Sequence, residues 1–149
     1  MIRTRIIGTG SYLPERVVSN HEVGALLGID PAVVSRLTGI QERRRAAASQ
    51  ASSDLGVEAA RSALEAAGCS SSELGAIVLS TTSPYTVFPS TACHVQRMLG
   101  CSSIPAFDVA ASCSGFLYGL SMADAMIRDR KSTRLNSSHS AKSRMPSSA

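Results

Sequence analysis

The sequence predicts a layered α/β fold, and two observations carry that reading. Strand-like apolar runs alternate with amphipathic helix-like runs along most of the 149 residues, separated by Gly, Ser and Asp-Pro punctuation. The composition agrees, since 44% hydrophobic and 17% charged residues suit a globular chain with a sizeable core. No apolar run reaches membrane-spanning length, and Met1-Ile-Arg-Thr-Arg lacks the apolar core of a signal peptide. A cytoplasmic protein with no membrane contact is therefore expected.

In chain order, Ile2 to Gly8 reads as a strand, broken by Gly8-Thr-Gly10 and Pro14. Ser19-Asn20 supplies an N-cap for a short helix through Leu27, closed by Gly28. Asp30-Pro31 repeats the device and opens a helix to about Leu37. These two helices read as an insertion after the first strand. Arg43-Arg-Arg45 with Ala46 to Ser53 reads as a loop. Ser53-Asp54 caps the next helix, whose apolar stripe is Leu55, Ala59, Ala63 and Ala66, and Gly68 ends it. Ser70 to Glu73 is a turn, and Ala76 to Leu79 a buried strand. Thr81-Thr82-Ser83-Pro84 then falls at that strand's carboxyl end, where ligands gather in open α/β sheets. Phe88-Pro-Ser90 begins a helix from Thr91 to Leu99, on which Cys93 is a packing residue, and Gly100 stops it. Ile104 to Asp108 returns to the sheet.

Phe116, Leu120, Ala123 and Ile127 recur at helical spacing, so a last helix begins near Ser112 or Cys113. Cys113 is thus placed at a strand-to-helix turn, in the first turn of the helix. Unpaired N–H groups and the helix dipole favour a thiolate there. Ala110, Ala111, Ser112, Ser114 and Gly115 leave room around the sulfur. Two readings stand at this point: a nucleophile, or a buried structural cysteine.

The net charge of +4 invites a nucleic-acid partner until it is located. Residues 1–128 hold ten Arg, no Lys and ten Asp or Glu, and are neutral overall. The whole excess lies beyond Arg128, so nucleic-acid binding is not expected. The four cysteines form no CxxC pair and no cluster with histidine, which argues against a metal site.

Asp108-Val-Ala-Ala-Ser-Cys113-Ser-Gly-Phe116 resembles the nucleophile motif of β-ketoacyl-acyl carrier protein synthase III, a condensing enzyme of the thiolase superfamily. Ile6-Ile-Gly-Thr-Gly-Ser-Tyr-Leu-Pro-Glu15 resembles that family's opening strand and turn. Thr38-Gly-Ile-Gln-Glu-Arg43, Ser80-Thr-Thr-Ser83 and Phe88-Pro-Ser-Thr-Ala-Cys93 follow in the family's order. The resemblance covers residues 2 to about 128. It implies a thiolase-like fold, here the first half of a two-half αβαβα architecture. It also implies an acyltransferase of fatty acid synthesis that acts as a homodimer.

By the same resemblance Cys113 takes an acyl group from acyl-coenzyme A, and malonyl-acyl carrier protein is the second substrate. No resident cofactor is implied. The His and Asn that complete the site belong to the second half. Arg36 and Thr38 would meet coenzyme A, Thr82 the substrate, and Phe88 the partner's acyl pocket. Phe88 also reads as a hydrophobic staple before Ser90, and both roles can hold together. Arg43-Arg-Arg45 could receive a phosphopantetheine or an acidic carrier protein, the other reading being a solvated loop face with Arg43 in a structural pairing. The family often carries a tryptophan shortly before the Thr-Gly-Ile, against the adenine; Val33 and Val34 stand there instead. Ser112 and Ser114, where alanines are common, keep specialised synthases of secondary metabolism open, and a non-catalytic acyl-binding subunit of the same fold is the remaining alternative.

From residue 129 the composition changes, with seven serines in 21 residues and the only lysines. Asp129-Arg-Lys-Ser-Thr-Arg-Leu-Asn-Ser-Ser-His139 resembles a translated sequencing-library adapter. The 129–149 stretch is expected to be an unstructured technical tail; a low-complexity linker is the other reading.

Overall fold

Residues 4–101 and 103–129 are described by the computed structural model, in two units: 13–51, and 4–12 together with 52–129. The basic stretch from 130 lies outside the described residues.

The smaller unit is built on a two-stranded antiparallel ribbon. Strand β1, Arg16–Ser19, pairs with β2, Glu42–Arg45, with Val18 opposite Arg43. Between them lie helices α1, Asn20–Leu27, and α2, Pro31–Thr38, with the expected caps. Ser19 Oγ accepts from Glu22 N at 3.2 Å, and the Asp30 carboxylate accepts from Ala32 N at 2.9 Å. Gly28 and Gly39, at φ 68° and 70°, end the helices in the left-handed region.

Arg43 to Arg45 is therefore a strand, not the expected loop. Three identical residue types conceal the alternation that the pleat imposes. Arg43 turns inward and donates from Nη2 to Asn20 Oδ1 at 2.6 Å and from Nη1 to Val18 O at 3.4 Å. Arg44 and Arg45 are exposed. Asn20 is buried and also donates from Nδ2 to Ser35 Oγ at 2.8 Å and to Ile40 O at 2.7 Å. One side chain thus ties β2, α2 and the turn after α2 together.

In the larger unit, residues 4–12 form no strand, contrary to the expectation for Ile2 to Gly8, whose first two residues lie outside the described ones. The segment crosses helix α3, Ser52–Ala67, at backbone-contact range. A Cβ on Gly8 would stand 2.5 Å from Ala63 O, and one on Gly10 would collide with the backbone of Ala59 and Ala63. Those glycines serve close approach to a helix, not the end of a strand. Helix α3 starts one residue early, so Ser53, expected as its cap, is inside it and buried.

A short turn at Ser71–Glu73 is closed by Ser70 N donating to Glu73 Oε2 at 2.8 Å. Strand β3, Ile77–Ser80, then pairs in parallel with β4, Ala106–Val109, with Leu79 beside Asp108 and Ser80 beside Val109. Helix α4, Thr91–Met98, joins the two strands, and α5, Gly115–Arg128, follows them.

Strand alternation sorts the layers. Leu79 faces α3 and α4, since a Cβ on Gly56 would touch both Leu79 and Val95. Val78 and Ser80 face α5, where Gly119 and Gly115 let the helix lie close. Val57, Ala92, Val95 and the buried Thr91 form the tightest part of the core. Among the described residues no helix is long and apolar enough to cross a membrane.

Candidate active site

After β4, Ala110 and Ala111 lead into a tight 3-10 turn, Ser112–Ser114, and α5 begins at Gly115. Ser112 sits at φ 44°. A left-handed backbone costs a β-carbon residue about 1–2 kcal/mol, so the turn is held open by its surroundings. Thr81 N donates to Val109 O at 3.3 Å on one side. On the other, Gly115 is buried against Ser80, where any side chain would collide. Cys113 accordingly stands in the turn ahead of the helix, not in its first α-helical turn as expected.

The sulfur at Cys113 differs from the other three. Cys113 is exposed, whereas Cys69, Cys93 and Cys101 are half-buried. Their Sγ atoms lie 3.5 Å from Ala67 O, 3.6 Å from Ala106 O and 3.3 Å from Ser71 O respectively. Burial also pushes the Cys101 thiol above its ordinary pKa. Within the Cys113 turn, Ser114 N donates to Ala111 O at 3.0 Å and Gly115 N to Ser112 O.

Thr82 is exposed in the loop that leaves β3, at the same carboxyl end of the sheet from which the Cys113 turn leaves β4. Phe88 lies further along that loop and is 90% exposed, so among the described residues it is not buried as a staple for α4. The loop is fastened at several points. Tyr85 N donates to Thr91 Oγ1 at 3.2 Å, and Thr86 Oγ1 donates to Pro89 O at 2.7 Å. The Thr86 hydroxyl has one proton, already used, so its 3.1 Å contact with His94 Nε2 requires a proton on that nitrogen. Tyr85 meets the His94 ring edge-on at 5.0 Å.

The role of Asp108, one residue of the Cys113 motif, is visible only in three dimensions. Its two carboxylate oxygens accept from Thr91 N at 2.8 Å and Ala92 N at 2.7 Å. Arg36 and Thr38 belong to the smaller unit. Arg36 is exposed in the last turn of α2. The Thr38 hydroxyl donates to Val34 O at 2.7 Å and accepts from Ile40 N at 3.1 Å, leaving only acceptor capacity for a ligand.

An apolar groove of about 490 Å³ runs between α5 and β3, lined by Ile7, Val78, Gly115, Phe116, Leu120 and Ile127 among others. Among the described residues no three His, Cys, Asp or Glu side chains gather as metal ligands.

Comparison with known proteins places this geometry. Residues 107–135, which include the β4–α5 turn, match the family model for 3-oxoacyl-[acyl-carrier-protein (ACP)] synthase III. The β-ketoacyl-[acyl-carrier-protein] synthase III of Acidiphilium cryptum is 47% identical over 128 residues, which is 86% of this chain and 40% of the relative. That of Escherichia coli K12 is 47% identical over 125 residues, 84% of this chain and 39% of the relative. Among solved structures, 3-oxoacyl-[acyl-carrier-protein] synthase III from Aquifex aeolicus superposes with a TM-score of 0.81 at 41% identity, over 85% of this chain and 41% of that one. The priming β-ketosynthase of the R1128 polyketide pathway gives 0.79 at 35% identity, over 82% and 36%. The fold is thiolase-like, and the chain spans about two fifths of the curated relatives it matches. In sequence and in fold alike, the chain belongs to the β-ketoacyl-[acyl-carrier-protein] synthase III family.

Proposed function

We propose that this chain supplies the nucleophile-bearing part of an acyltransferase that initiates fatty acid synthesis. The observation that carries the proposal is Cys113, exposed in a strained strand-to-helix turn inside the family-matched segment. Its thiolate attacks the thioester carbonyl of an acyl-coenzyme A. The carbon–sulfur bond to coenzyme A breaks, and coenzyme A leaves as the thiolate, which takes up a proton. The backbone N–H of Cys113 is assigned as a donor to the oxyanion formed in that step. Malonyl-acyl carrier protein then loses carbon dioxide, and its carbanion attacks the acyl-cysteine. The Cys113 thiolate is released with a β-ketoacyl-carrier product. His and Asn side chains from a second half of the fold would promote the decarboxylation.

Arg36 and Thr38 are assigned to the coenzyme A substrate, Thr82 to substrate binding, and exposed Phe88 to the partner of a cytoplasmic homodimer. Coenzyme A and phosphopantetheine enter as substrates, and no resident cofactor, nucleic acid or membrane takes part. The likeness to a priming β-ketosynthase of a polyketide pathway supports a second reading, a specialised ketosynthase with the same first step.

The test uses residues 1–128 joined to the remaining part of the Escherichia coli relative. Incubation with a short acyl-coenzyme A and peptide mass mapping should place the acyl group on Cys113. Acylation of Cys69, Cys93 or Cys101, or acylation that survives Cys113→Ser, would overturn the assignment.

A further inference from the structure

Asp108 stands on the face of β4 that looks toward α4, because it pairs with Leu79, whose side chain meets Gly56 and the core on that side. A carboxylate on the inner face of a sheet needs partners, and both of its oxygens find them in backbone N–H groups of the first turn of α4. The same turn of α4 carries Thr91, whose hydroxyl accepts from Tyr85 N. One turn on, His94 holds Thr86. Two of the contacts that fasten the 84–90 loop, at Thr91 and His94, therefore rest on the end of α4 that Asp108 grips. In the other direction Asp108 is one residue from Val109, whose carbonyl receives Thr81 N, and five residues from Cys113.

We propose that Asp108 is a positioning residue that fixes the turn carrying Cys113 and the loop carrying Phe88 as one piece. The carboxylate acts as a two-pronged tie: one end is the β4 backbone that feeds the Cys113 turn, and the other is the helix end that anchors the loop. Ser112 is held in its left-handed conformation by this frame, since Gly115 against Ser80 fixes only the far side of the turn. A consequence for catalysis rests on Cys113 being the nucleophile; the mechanical link itself does not.

Amide hydrogen exchange on the intact chain separates the two. In Asp108→Asn one oxygen becomes an NH2 group that faces an N–H donor, so exchange at Thr91 or Ala92 should rise about tenfold. The proposal requires that Tyr85, Ser114 and Gly115 also exchange several-fold faster, on the order of threefold or more, while the α3 amides stay unchanged. Acceleration confined to Thr91 and Ala92 would reduce Asp108 to a helix cap and overturn the proposal. Equal acceleration throughout α3 would overturn it as well, as general destabilisation. Should Asp108→Asn lose its helical circular dichroism, Thr91→Pro approaches the tie from the other side. It removes one N–H at the first helical position, where proline is accepted, and Ser90 at φ −62°, ψ 156° already suits a following proline. Ser114 and Gly115 must again respond. Since no readout involves acyl transfer, failure here leaves the Cys113 assignment standing, and failure of that assignment leaves the tie standing.

Discussion

Gly56→Ala is expected to stabilise the chain, and the sign follows from the space around one missing atom. Gly56 lies inside α3, where glycine costs about 1 kcal/mol relative to alanine. The added Cβ would meet Val95 Cγ2 at 3.4 Å and Leu79 Cδ1 at 3.5 Å, which is van der Waals contact rather than overlap. Burying that methyl against two core side chains adds up to about 0.8 kcal/mol. A small displacement of Val95, buried at 2% exposure, takes part of that back. The net is about +1 kcal/mol, a rise of roughly 2–4 °C in the melting temperature of a chain this size. Gly115→Ala is the paired control of opposite sign. Its Cβ would stand 3.1 Å from Ser80 Cβ with the hydroxyl in the way, so a loss of about 1–3 kcal/mol is expected. Melting both variants beside the parent by far-ultraviolet circular dichroism reads the two signs. If Gly56→Ala melted lower than the parent, or both variants moved the same way, the packing described for α3 and α5 would be wrong.

Further outcomes are expected elsewhere in the chain. Asn20→Ala leaves the Ile40 carbonyl and the Arg43 guanidinium without their buried partner, so urea denaturation should show a loss of about 1–3 kcal/mol. Iodoacetamide at mildly alkaline pH should alkylate exposed Cys113 well before Cys101, with the order read by peptide mapping. Cys101 also sets a sign with pH. Burial makes the folded state hold the thiol proton more tightly than the unfolded chain does. Its contribution to stability is complete below the unfolded thiol's pKa and is lost as pH rises toward the higher folded value; Cys101→Ala should flatten that alkaline fall. Finally, the 149-residue chain alone should not condense an acyl thioester with malonyl-carrier protein, because it spans only 39–41% of its relatives and carries Phe116, Leu117 and Tyr118 exposed on α5. Condensing activity of the isolated chain in a radiolabelled malonyl assay would contradict this.

What the sequence determined by itself was local. Ser19, Asp30 and Ser90 cap their helices because a short polar side chain next to its own backbone needs no distant partner. Gly28, Gly39, Gly68 and Gly100 sit at positive φ for the same short-range reason. The position of Cys113 between a strand and a helix followed from the change of apolar period around it. Tertiary structure decided the rest. The Arg43–Arg45 strand exists because β1 is there to pair with it, and a run of arginines shows no period. Residues 4–12 hold a strand-like sequence, yet Gly8 and Gly10 draw them against α3. The turn at Cys113 is a 3-10 turn whose far side is fixed by Gly115 against Ser80, more than thirty residues away in sequence. Asp108 reads as one charge in an apolar run until α4 brings two unpaired N–H groups to its carboxylate. Each of these depends on atoms far apart in the chain, and their spacing is set by packing, which no local pattern encodes.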